Sequence, residues 1–200
     1  MGMRGSDGFA PGLSGFGLIA LTYIVCHGVT IWVIAPAQRF FLDDVSVIAS
    51  LAYLPHGVRV LSIWLVGWRA ILPLIAGAVA ANMIFTSSHI LDLMQGKMSV
   101  SILMSVLSAY AAFEVLRLLG VASYAGGGRR VNWRTLLLTG LLASVFNSVC
   151  QTLIFSGIIA PDGTLWELAS FVVGDMIGQI VLMIALMMIF RALRGPATRA

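Results

Sequence analysis

The sequence predicts an all-α polytopic membrane protein: six transmembrane helices in one bundle, with both termini in the cytoplasm. Three observations carry this. Hydrophobic residues make up 60% of the 200 residues and charged residues 10%, with a mean hydropathy of +0.99, whereas soluble domains carry about 25% charged residues. The apolar residues fall into six long runs, each near the ~20 residues needed to cross the hydrocarbon of a bilayer. The basic residues then gather on one side of those runs.

The runs place helices near 13–35, 45–67, 70–88, 99–119, 134–158 and 166–192. They form a membrane domain over 13–192, between cytoplasmic segments 1–12 and 193–200. The first helix is expected to stop at Ala35-Pro36. The second contains Pro55 and Gly57, which predict a kink or loosening because Pro lacks an N–H and Gly adds freedom. The third carries Gly77 and Ala81, a small-xxx-small pair, and the fourth ends with Glu114 and Arg117. Gly126-Gly127-Gly128 leads to the fifth, and Pro161-Asp162-Gly163 separates it from the sixth. The sixth holds Gly174 and Gly178, a GxxxG spacing that lets helix backbones approach closely. Packing within one chain is the favoured reading of that spacing; a homodimer face is the alternative.

Orientation follows from charge. Inner segments hold Arg4, Arg69, Arg117, Arg129, Arg130, Arg134, Arg191, Arg194 and Arg199, against Arg39 and Lys97 outside. Most acids fall outside: Asp43, Asp44, Asp92, Asp162 and Glu167. Trp133 and Trp166 fall at interfaces, where aromatic anchors are enriched. No cleavable signal is apparent, and the bilayer itself is the expected partner. The net charge of +4 reads as a topology signal, and no soluble basic face offers itself to nucleic acid. Cys26 and Cys150 lie in apolar runs and read as small buried side chains.

The ionisable groups inside the runs are the candidate functional residues, because hydrocarbon is a poor solvent for them. His56 and Arg59 are three apart and share one helix face. Counting from Gly67, they lie roughly 16 Å and 12 Å from the inner end, and Asp175 lies roughly 13 Å from the outer end of the last helix. These depths predict that Asp175 pairs with Arg59, with His56 nearby and Gln179 one turn further along. The pair reads either as a structural lock between two helices or as the border of a ligand cavity. Asn147 and Gln151, four apart, read as interhelical hydrogen-bonding amides. His27, with Tyr23 and Thr30 on its face, reads first as a packing residue. Glu114 is expected to pair locally with Arg117. His89 and Asp92 fall near the outer mouth of the third helix.

Enzyme signatures are missing: there is no HExxH, CxxC pair, GxSxG or Walker loop. The Gly126–Arg130 loop lacks the P-loop Lys and Ser or Thr, and suits anionic lipid or a partner better. No catalytic role, metal or cofactor is expected. A b-type haem held by His27 and His56 is the weakest reading, with no supporting motif.

Three stretches resemble the bacterial membrane-associated sensor domains, the MASE group, and its first type most. They are Tyr53-Leu54-Pro55-His56-Gly57 followed by Gly67-Trp68-Arg69 and Pro73; Glu114-Val115-Leu116-Arg117; and Val173-Gly174-Asp175-Met176-Ile177-Gly178. Their order agrees over about 45–192. The resemblance implies a sensory module that binds a small ligand. The chain differs in placing His56 where the family usually has Ala, in carrying Arg59, and in having six helices rather than about eight. Family members usually continue into a kinase, cyclase or phosphodiesterase, so output here is expected through a separate cytoplasmic signalling protein. The alternative is a substrate-binding or transport subunit similar to an energy-coupling-factor S component.

Overall fold

The computed structural model describes residues 12–41, 51–121, 123–125, 132–155 and 164–193. Every regular element among them is helical. Helix α1 (Leu13–Val29) continues through a π turn (Thr30–Ile34) into α2 (Ala35–Phe41). Then come α3 (Leu54–Val66), a 3-10 turn (Gly67–Ala70), α4 (Ile71–Phe85), α5 (Ser88–Leu118), α6 (Trp133–Ile154) and α7 (Thr164–Leu193). Five helical stretches are long and apolar enough to cross a membrane: Leu13–Phe40, Leu54–Phe85, Gly96–Leu118, Trp133–Ile154 and Leu168–Leu193. Large apolar side chains cover their outer faces, among them Leu18, Leu21, Leu72, Met83 and Met188. So much exposed hydrocarbon suits lipid, not water.

Helix boundaries depart from expectation where proline and glycine act. Residues 51–53 are not helical, so the second helix starts at Leu54 instead of near 45. Its Pro55 stands in the first turn, where a missing N–H costs nothing and the fixed φ is already helical. The predicted kink is therefore a helix start. Pro36 does not end the first helix either. The π turn shifts the ladder by one residue, the Ala35 N–H bonding to the Thr30 carbonyl, and the chain passes Pro36 and remains helical to Phe41.

The Leu54–Phe85 stretch holds 32 residues and would span about 48 Å as one straight helix. Instead it folds back. The His27 ring lies 6.2 Å from Tyr53 and 5.7 Å from Phe85, so both ends of the stretch reach the same level of α1. The reversal occurs at Gly67, whose φ of 65° and ψ of −143° belong to a region essentially closed to residues with a Cβ. At this turn Tyr124 approaches Gly67, and the Ala125 N–H donates to the Trp64 carbonyl.

Helix α3 sits centrally, packed on α1, α5, α6 and α7. It runs alongside α7 in the same direction. The Tyr53 N–H donates to Gly174 O at 2.9 Å, and Gly57 lies against Gln179 and Leu182. A Cβ on Gly178 would overlap the Tyr53 backbone, so the GxxxG face is occupied inside the chain. Gly77 fits against Ala20 and Tyr23 of α1 in the same manner. The core between these helices is filled by Val60, Ile63, Leu74, Val106 and Phe113.

Gly178→Ala should lower the unfolding free energy in detergent by about 1–3 kcal/mol, because neither backbone can give way. Gly17→Ala, where an added Cβ meets nothing within 4 Å, should change it by less than about 0.5 kcal/mol. Thermal unfolding of the two variants side by side tests the contact.

Candidate functional site

Helices α3, α6 and α7 bring together a cluster of deeply buried polar groups. His56 and Arg59 are each 1% exposed, Asp175 4% and Gln179 0%. Asp175 pairs with His56, not with Arg59: His56 Nδ1 lies 3.2 Å from Asp175 Oδ2. The predicted Arg59–Asp175 pair is thus corrected. His56 and Arg59 differ by about one helical turn, and the contact of Tyr53 with Gly174 sets α3 so that the His turn meets Asp175. Salt bridges join His56 to Asp175 and Glu114 to Arg117, and Arg59 belongs to neither. The Arg59 guanidinium instead lies over the Tyr53 ring, with Cζ 5.6 Å from its centroid.

Ser144 of α6 donates to the same Asp175 oxygen at 2.8 Å. On the other side of the imidazole, His56 Nε2 lies 3.1 Å from Gly140 O. Both imidazole nitrogens thus face acceptors, and a neutral imidazole has one N–H. Both contacts are satisfied when the pair holds one proton more than a neutral histidine and a carboxylate. That proton makes either an imidazolium beside a carboxylate or a neutral imidazole beside a carboxylic acid. In each form the pair is neutral overall. Ser144 bonds to the carboxylate and not to the imidazole, so this histidine is not placed to activate the hydroxyl as a nucleophile.

Gln179 extends the cluster by one turn, its Nε2 donating to Leu136 O at 3.0 Å. A Cβ on Gly140 would overlap the Gln179 amide, so this glycine admits the amide while its carbonyl faces the His56 ring. Asn147 and Gln151 serve a different contact. Gln151 Nε2 donates to Asn147 Oδ1 and to Ser101 O, while Ser101 Oγ donates to Gln151 Oε1. These bonds tie α6 to α5, as interhelical amides are expected to.

His27 packs among Tyr23, Tyr53 and Phe85, and its Nδ1 has no hydrogen-bond partner. Thr30, in the π turn, donates to Cys26 O and accepts from the Leu54 N–H. The two histidines therefore do not share a role: His56 engages Asp175 and Gly140 through its two nitrogens. Among the described residues no three His, Cys, Asp or Glu gather as a metal site would need. The side chains of His89 and Asp92 and the Gly126–Arg130 loop lie outside the described residues.

Away from this core, Glu114 pairs with Arg117 at 2.6 Å, as the i,i+3 spacing implied. Sequence reasoning missed Tyr124, which donates to the other Glu114 oxygen at 2.6 Å and stacks on Phe113 at 5.1 Å. Burial, with the Glu114 bond and charge added, pushes the Tyr124 phenol well above its usual range. It missed Ser144 as well, whose small hydroxyl carries no mark in an apolar run. The chain matches no family model, no curated protein and no solved structure.

His56→Leu and Asp175→Leu should each cost about 3–5 kcal/mol by stranding a buried partner, while the double substitution should recover much of the loss. Thermal unfolding of all four proteins gives the coupling; additive losses would dissolve the pair. Tyr124→Phe should cost about 1 kcal/mol at neutral pH. An unfolded tyrosine ionises near pH 10, and folded Tyr124 keeps its proton beyond that. The folded state then binds more protons, and the stability this bond supplies is full below about pH 10 and lost as pH rises further. The gap between wild type and variant should narrow accordingly in an alkaline series of unfolding curves.

Proposed function

We propose that this chain is a sensory or regulatory module of the bacterial inner membrane, crossing it six times with both termini in the cytoplasm. It binds a small ligand in the polar core and acts on a separate cytoplasmic protein, without catalysis of its own. One observation carries the reading. The two sequence stretches most like those of the membrane-associated sensor domains, Tyr53–Gly57 and Gly174–Gly178, meet in space through the Tyr53–Gly174 bond and the His56–Asp175 pair. Buried ionisable groups inside membrane helices mark functional sites by default. The reversal at Gly67 supports six crossings, since it makes α3 and α4 two arms rather than one span. The exposed Trp68 and Trp133, each beneath an arginine, suit an interface on the positive side.

Mechanistically, a ligand that favours one setting of α7 against α3 shifts the balance between settings by its difference in affinity. The His56–Asp175 contact is the element such a ligand would bias. The π turn of α1 favours a second reading, a substrate-binding subunit of a transporter, because interrupted helices beside a polar core recur in transporters.

Fusions at the C-terminus should give fluorescent green fluorescent protein and inactive alkaline phosphatase; the reverse would overturn the topology. Purification from native membranes in mild detergent, with mass spectrometry of associated proteins, should recover a kinase, cyclase or other signalling partner whose output changes in Asp175→Asn. Recovery of a partner ATPase, with solute uptake dependent on it, would replace this function by transport.

A further inference from the structure

Arg59 is buried to 99% of its surface, yet its Nε and Nη2 atoms have no hydrogen-bond acceptor among the described residues. A guanidinium left so in an apolar bundle is costly, since its charge has lost water and gained little in return. The Tyr53 ring beside it offers a π face, which is a weaker partner than an oxyanion.

The identity of the two free atoms is informative. Nε and Nη2 form one edge of the planar guanidinium, with two N–H bonds pointing the same way. That edge matches the two oxygens of one carboxylate in a bidentate pair. The charge count sets the valence. Asp175 is the nearby carboxylate, and it is already held by Ser144 and His56. In the form that satisfies both imidazole contacts the His56–Asp175 pair is neutral, and the Arg59 fork itself makes no ion pair among the described residues. A monoanion neutralises it, whereas a dianion would leave an excess negative charge in the same apolar surroundings.

The neighbourhood suits the rest of such a molecule. The Tyr53 ring contacts both the guanidinium and His27, and Tyr23 and Phe85 also pack on His27. His27 Nδ1 is a second buried polar atom without a partner. These rings give the guanidinium an aromatic, apolar neighbourhood that matches an apolar ligand body, with the His27 ring nitrogen as one further polar atom free to bond.

We infer that Arg59 is the anion-recognition point of the core and that the ligand is a monocarboxylate with an apolar body, held side-on by Nε and Nη2. This rests on the ligand-binding reading above and adds the ligand's class. The carboxylate has two sources, a water-soluble acid or a fatty acid from the bilayer.

The test uses the full chain, delipidated in a nonionic detergent. Binding of benzoate and oleate is compared with that of benzyl alcohol and oleyl alcohol, their uncharged counterparts. Thermal shift reports affinity, and the 15N resonance of the Arg59 Nε reports the contact. At least one acid should bind about tenfold or more tightly than its alcohol and move the Nε resonance. Arg59→Lys keeps the charge but not the fork, and should weaken the acid by about tenfold. Preference for oleate identifies the bilayer as source, and preference for benzoate a soluble acid. Equal binding of acids and alcohols, binding of neither acid, or undiminished binding by a folded Arg59→Lys protein overturns the inference. If the lysine variant does not fold, the acid–alcohol comparison and the Nε resonance decide alone. A bound acid that leaves partner output unchanged would keep this site and remove the sensory role. A partner that responds to an uncharged ligand would do the opposite.

Discussion

The backbone of Tyr53 lies directly on Gly178, closer than any side chain would permit, and its N–H donates to the Gly174 carbonyl. This contact fixes the height and rotation of α3 against α7. Shifted by a turn, α3 would bring Arg59 to the level of Asp175 and carry His56 away. Held as it is, the imidazole fills the space between Asp175 and Gly140. The positions of Ser144 and Gln179 follow, because α6 packs on α7 around the same carboxylate. Two residues without side chains on α7 thus determine which polar groups meet.

The helix ends show a division of labour between proline and glycine. Pro55 opens α3 and frees no donor within it, while Gly67 closes the helix in a conformation that turns the chain back. Between them lie His56 and Arg59, in a helix of 13 residues that is nearly surrounded by other helices. Burial on that scale explains why the polar partners come from the helix partners' backbones as well as side chains. Gly140 and Leu136 both offer carbonyls toward the core. In hydrocarbon such carbonyls are the nearest substitute for water.

Much of this was legible in the sequence. Apolar run length gave an all-helical chain with membrane-length helices, and i,i+3 spacing gave the Glu114–Arg117 pair. Depth arithmetic placed His56, Arg59 and Asp175 in one layer. It chose Arg59 as the partner where the structure has His56, because the two lie about 4.5 Å apart along the axis, less than the shift of roughly 2–4 residues to which span ends are read. The choice was made by a tertiary contact of two glycines with a backbone. The π turn at Thr30–Ile34 escaped for a different reason. Proline suggests an end to a helix, and a shifted hydrogen-bond ladder that carries the chain past it leaves no compositional trace. Tyr124 reaches Glu114 only because the segment after α5 folds back over it, which no local spacing encodes.

The folded-back pair of α3 and α4 has a consequence for how the chain is built. Its arms hold 13 and 15 residues, about 20 Å and 22 Å of helix, against a hydrocarbon layer of about 30 Å. Neither arm is long enough to enter the bilayer comfortably by itself, and the first carries a histidine and an arginine. Asp175 is synthesised more than a hundred residues later. On the six-crossing reading, the two arms enter as one unit and wait, with His56 lacking its carboxylate, until α7 arrives. Assembly of the core then waits for α7, and a chain interrupted before α7 leaves that histidine and arginine in the membrane without Asp175.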